Sequence, residues 1–173
     1  MDIEGASPGQ FDVLAITGAA TLTGTLVLKP APTFTGTVGQ TFPVLTAGSY
    51  SGTFTRLSKA VIDANAGTYY QPTYPGGAPT LLVTQASFSA PASGARGAQI
   101  TVSGTGWIPG KKVTISLTDS ALVTTTLKSV TANGSGSFST SVTIPAGAAT
   151  GNATISAKGA ITALTMTRTI SIT

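Results

Sequence analysis

The chain has 173 residues, 41% of them hydrophobic, enough for one large or two small domains whose core closes without a metal or a disulfide. Only 8% are charged, the formal net charge is +4, and histidine and cysteine are both absent. That excludes imidazole and thiol catalysis together with the transition-metal sites those groups build, and it leaves a surface of Thr, Ser, Gly and Ala rather than of ions.

From the N-terminus, Met1 is followed by Asp2-Ile3-Glu4 with no basic and apolar leader, so the expectation is a piece of a longer chain without a secretory signal. Short runs of Thr, Val and Ile alternate with small residues and are broken by Gly or Pro, the pattern of strands. The expected strands of the first half are residues 11–16, 21–28, 41–45, 52–57, 68–74 and 80–84, with a helical turn over 58–66. The second half gives seven: 86–90, 99–104, 112–117, 123–130, 136–144, 151–157 and 164–172. No Gly/Ser/Pro linker separates the halves, so the boundary falls near Gln85-Ala86, dividing the chain into 1–85 and 86–173.

Charge divides the same way. Lys29, Arg56 and Lys59 stand against Asp2, Glu4, Asp12 and Asp63 in the first half, while Arg96, Lys111, Lys112, Lys128, Lys158 and Arg168 face only Asp119 in the second. These bases are scattered and few aromatics accompany them, so neither a basic stripe nor a stacking platform for nucleic acid is expected. No run approaches the roughly 18 apolar residues of a membrane-spanning helix, and no membrane insertion is expected.

The run from Gly9-Gln10-Phe11-Asp12-Val13-Leu14 to Leu22-Thr23-Gly24-Thr25-Leu26, followed by Val38-Gly39-Gln40-Thr41-Phe42-Pro43-Val44-Leu45 and Ser51-Gly52-Thr53-Phe54, resembles the last coils of autotransporter- and filamentous-haemagglutinin-like β-helix surface proteins. The pattern reads as a stack of coiled strands with Val13, Leu14, Ile16, Leu22, Leu26, Phe42 and Leu45 inside and Gly and Thr at the corners. Residues 1–85 are thus expected to form a β-solenoid end or a small β-sandwich. The second half, with Ile100-Thr101-Val102-Ser103-Gly104-Thr105-Gly106-Trp107-Ile108-Pro109-Gly110 and Asn133-Gly134-Ser135-Gly136-Ser137-Phe138, resembles bacterial immunoglobulin-like domains, which implies an antiparallel β-sandwich over 86–173. Gly104 and Gly106 are read as the turn around Trp107, and Asn133-Gly134 as a tight hairpin with positive φ.

Five carboxylates are all that remain for acid–base work. Asp12 with Asp63 or Glu4 is the only pairing to weigh for glycoside hydrolysis, Asp2 and Glu4 lack the Asp-rich loop that calcium needs, and no catalytic residue, metal site or cofactor is expected. Two surfaces are candidates for ligands. Thr21, Thr23 and Thr25 alternate and would share one strand face, an array of hydroxyls, and Tyr69, Tyr70 and Tyr74 are candidates for stacking on sugars.

These readings point to a non-enzymatic structural or adhesive module, a stalk, spacer or adhesin fragment, in a bacterial extracellular or cell-surface protein. Two alternatives stand beside it: a self-assembling subunit of an extracellular filament or surface layer, and a carbohydrate-binding accessory module of a secreted enzyme. The partners expected are glycans and neighbouring copies or other surface proteins, paired through edge strands such as those at Ile3 and at residues 169–173.

Overall fold

The computed structural model describes residues 1–173. Its backbone separates into one unit of Met1–Gln85 with Ile161–Ala163 and a second of Ala86–Ala160 with Leu164–Thr173. Both are built from strands, and the one helical turn is a 3-10 turn at Pro75–Gly77.

In the first unit the strands are short: β1 (Asp2–Ile3), β2 (Leu14–Ala15), β3 (Ala19–Leu22), β4 (Thr25–Val27), β5 (Lys29–Pro30), β6 (Thr41–Pro43), β7 (Leu45–Thr46), β8 (Ser49–Gly52), β9 (Arg56–Ser58), β10 (Val61–Asp63), β11 (Thr68–Thr73) and β12 (Thr80–Gln85). Their shortness has a backbone cause. Gly24 and Gly52 sit at φ +67° and +73°, where an L side chain is strained, and there the chain turns a corner.

The pairing is that of one coil laid on another. β2 runs parallel to β7, β3 to β8 and β4 to β9, with Leu14 on Leu45, Ala20 on Tyr50 and Leu26 on Leu57, spacings of 31, 30 and 31 residues. Parallel ladders between strands so far apart are coil stacking, whereas a sandwich pairs its neighbours antiparallel. Inward positions hold Ala20, Leu22, Leu45, Leu28 and Leu57, all buried, while Ala19, Thr21, Ser49 and Ser51 face out. Each buried leucine-sized side chain stabilises by about 1.5–3 kcal/mol.

The second coil passes into an antiparallel sheet ordered β10-β11-β12-β6. Tyr70, Leu81 and Val83 from that sheet share a core with Ile3, Leu28, Phe42, Val44 and Leu57. Phe42 is its hub, meeting Phe11, Phe34 and Tyr70 edge-on at 5.3, 6.0 and 5.8 Å. Three expectations are corrected here. Residues 58–66 form no helical turn, because Asp63 Oδ1 accepts the N–H groups of Asn65 and Ala66 and folds the segment into the β10–β11 hairpin. Val13 and Leu14 are half exposed rather than interior. Ile3 is fully buried, and its strand is paired with β5 rather than free.

The second unit has longer strands: β13 (Ser87–Ser89), β14 (Ser93–Gly94), β15 (Gln99–Thr105), β16 (Lys112–Thr118), β17 (Thr124–Thr131), β18 (Phe138–Thr143), β19 (Gly151–Gly159) and β20 (Thr165–Ile172). They form sheets ordered β13-β15-β18 and β14-β20-β19-β16-β17. Period-two alternation sends Val102, Val113, Ile115, Leu117, Phe138, Ile155 and Ile170 inward, giving the antiparallel sandwich that the sequence implied. The terminal strand is not an edge, because β20 lies between β19 and β14.

Trp107 is buried against Phe138, 6.1 Å between ring centroids, and its indole N–H donates to the Ser87 carbonyl at 2.9 Å. Gly104 makes room for it, since a Cβ there would stand 2.5 Å from Trp107 Nε1 and 2.7 Å from Phe138 Cε1. In the following hairpin the positive φ falls on Gly136, not Gly134. Asn133 instead works through its side chain, Oδ1 accepting the N–H groups of Ser135 and Ser137.

Candidate functional site

The three alternating threonines do not lie on one face. Thr21 is on β3, Thr25 is on β4, and Thr23-Gly24 is the corner between them. Thr21 Oγ1 accepts a hydrogen bond of 3.3 Å from the Ser51 hydroxyl directly beneath it, so the outward column on this face is a pair of hydroxyls, one per coil. The linear pattern predicted a strand, and the left-handed glycine makes it a bend.

The tyrosines are corrected more sharply. Tyr69 and Tyr70 point to opposite faces of β11, yet both are enclosed, so neither presents a ring to a sugar. Burial pushes both phenols above their ordinary pKa. Tyr70 Oη is buried with no hydrogen-bond partner. Tyr74 is half buried, its pKa raised by burial and partly restored by the Phe54 N–H that donates to its hydroxyl at 2.9 Å. Tyr50 does similar work, accepting the Ala47 N–H at 2.8 Å. These hydroxyls satisfy loop backbone that the coil corners leave without a ladder partner.

Three of the carboxylates also serve the backbone. Asp12 Oδ2 accepts the Asp2 N–H at 2.8 Å, and Asp63 holds its own hairpin. Asp119 is buried at the head of the β16–β17 hairpin, where it accepts N–H groups from Ala149, Val123 and Ala121 at 2.9, 3.0 and 3.0 Å. The Ala149 and Val123 bonds, with Ala121 adding to them against the opposing effect of burial, hold its carboxyl below the usual carboxylate range. Asp2, Glu4 and Asp12 line a polar recess of about 160 Å³ with Gln10 and Phe11, but no three acidic side chains converge as a cation cage would need.

Two features escaped the sequence. One is an apolar cavity of about 390 Å³ at the outer side of the first coil, lined by Leu14, Ile16, Ala20, Leu22, Leu26 and Phe54 among others. Periodicity marks those residues as interior without saying that the first coil leaves them beside an open cavity.

The other is the outer face of the five-stranded sheet. Cross-strand register sets Thr124, Thr118, Thr154 and Thr169 in one row and Thr126, Ser116, Ser156 and Thr167 in the next. Thr118 and Thr124 exchange a hydroxyl hydrogen bond of 2.8 Å. The signal lies in Ser or Thr recurring at alternate positions within four strands, but only register brings the rows together. Twist between strands, roughly 20–25° each, curves the array, so it is a hydroxyl-rich surface, with Lys158 in the row beside it, rather than a planar lattice.

The macroglobulin-like domain family matches residues 80–170. No curated protein sequence matches the chain. Among solved structures it is similar to macromomycin, at 16% identity over 51% of this chain and 99% of that one with a TM-score of 0.42. It is similar also to a superoxide reductase (neelaredoxin) from Ignicoccus hospitalis, at 10% identity over 52% and 82% with a TM-score of 0.39. A tetra-tandem repeat in the extending region of a large adhesion protein gives 16% identity over 60% of this chain and 30% of that one, with a TM-score of 0.39.

Proposed function

The chain belongs to the macroglobulin-like domain family, matched over residues 80–170, and from that premise we propose that it is a non-catalytic structural and adhesive module of a bacterial extracellular or cell-surface protein, a stalk, spacer or adhesin fragment. The observation that carries the reading is the outer face of β17, β16, β19 and β20, whose two four-residue rows hold hydroxyls and no ion. Such a face stays hydrated and offers many weak donors and acceptors, which suits contact with other hydroxylated surfaces better than the recognition of one small molecule.

The acid side chains fit the same reading. Asp12, Asp63 and Asp119 are engaged with backbone N–H groups, so they are tied to holding turns rather than facing each other across a cleft. The accessory carbohydrate-binding alternative loses two of its stacking residues with the burial of Tyr69 and Tyr70, so glycan contact is assigned to the hydroxyl face instead.

The test is to immobilise the protein and pass polysaccharides and glycan-coated particles over it, in parallel with assays for ester, peptide and glycoside turnover. Retention weakened by Thr154→Val with Thr167→Val, and no turnover, is the expected outcome. Turnover that survives repurification, or binding indifferent to both substitutions, would overturn the reading.

A further inference from the structure

The first coil is finished on one side only. β2, β3 and β4 are each paired with one strand of the second coil, and no strand pairs with their other edges. Those edges rim the 390 Å³ apolar cavity, and Leu14, which lines it, is 53% exposed. An unpaired ladder is a template for another strand, and an apolar cavity beside it forfeits the packing that the next layer would supply.

What belongs there is indicated by the strand already in place. Successive N–H groups point to opposite sides of the coil. Leu28 donates to Ser58 O of the second coil, whereas Lys29 donates to Met1 O and Ala31 to Ile3 O, each at 2.8 Å. β1 therefore lies on the side away from the second coil, parallel to β5 in the way that β7, β8 and β9 are parallel to their partners. The Met1 amine donates to Val27 O at 3.0 Å, standing where β4 ends. A residue joined to that nitrogen and continuing the same ladder would pass over β4, then β3 and β2.

We propose that this edge is a docking surface for one further coil of parallel β-strand, delivered by polypeptide joined to the Met1 amine. Its inward side chains are apolar and fill the cavity, and its outward ones are small or hydroxyl-bearing, continuing the Thr21–Ser51 column. The 27-residue spacing of Asp2 and Lys29 sets the length of the coil. A second copy of the chain fits less well, because Met1 already occupies the rim with its side chain and amine. The proposal goes beyond the spacer or adhesin role and stands whether or not the protein adheres to anything.

A tandem copy of residues 2–28, inserted ahead of Asp2 in the full chain, supplies such a coil in the required register. The expected result is a higher Tm, less binding of a hydrophobic dye, and amide exchange of residues 19–27 slowed by about ten-fold or more. The same insert with serine at its copies of Leu22 and Leu26 should give none of these gains. An insert that is clipped away by protease with no change in Tm overturns the proposal, as does a gain that survives the serine control. It is overturned too if the unextended protein forms concentration-dependent dimers that Thr21→Lys abolishes, because the edge then serves a second copy.

Discussion

The two units are made from the same palette of Thr, Gly, Ala and β-branched residues, yet one coils and the other folds flat. In the first unit the strands of the coils run two to four residues before a corner, and in the second the long strands run six to nine. A strand of two to four residues gains too few ladder bonds to pair with its immediate neighbour, so it is held by the coil beneath it, about thirty residues away. A strand of six to nine residues satisfies itself in a local antiparallel ladder, as β19 does with β20 over eight pairs. Where left-handed glycines fall thus decides the architecture more than hydrophobicity does.

The difference also sets where each unit breaks. The first depends on a hub, Phe42, fully buried and edge-on to three rings. Phe42→Ala should cost about 3–5 kcal/mol, the largest single effect expected, and should be read from the urea midpoint. The sandwich spreads its core over many aliphatic side chains and is weakest against overfilling. Gly104→Ala places a methyl against Trp107 and Phe138 and should cost about 1–3 kcal/mol. A smaller loss for Phe42→Ala than for Gly104→Ala would remove the contrast between a hub and a distributed core.

A further contrast lies in acid. Asp119 fastens the β16–β17 hairpin, and its folded pKa lies below the unfolded value. Such a group contributes stability that is fully present above the unfolded pKa, about 3.9, and lost as pH falls through the folded one. Asp119→Asn should therefore lower the urea midpoint at pH 7, and the gap from the parent should close as pH drops below about 4. A gap that is constant with pH would mean that the carboxylate charge plays no part in holding the turn.

How far this was legible depends on element length. All seven strands expected in the second half are present, six of them long enough to show clear alternation and β13 flanking them with three residues, and β14 was missed because two residues show none. In the first half, residues 21–28 read as one strand, since Thr21-Leu22-Thr23 and Thr25-Leu26-Val27 alternate in phase, and nothing linear shows that Gly24 is left-handed. Tyr69 and Tyr70 are candidates for sugar stacking in the sequence, where a strand places one of them on each face. Both faces of β11 turn out to be covered, and that is decided by residues remote in the sequence.

The smallest effect contrasts two of the buried polar aromatics. Trp107 in the sandwich gives its N–H to Ser87 O, while Tyr70 in the coil unit buries a hydroxyl with no partner. Replacing a group whose hydrogen bond is made leaves the other partner unsatisfied, whereas removing an unmade one relieves a desolvation cost. Trp107→Phe should therefore destabilise by at least about 1 kcal/mol through the orphaned carbonyl and the lost ring area. Tyr70→Phe, which keeps the ring against Phe42, should be neutral or stabilising by up to about 1 kcal/mol. A clear loss of stability for Tyr70→Phe in the same denaturation assay would place a buried water or another partner on that hydroxyl, and would make the two cores alike in the one respect where they now differ in sign.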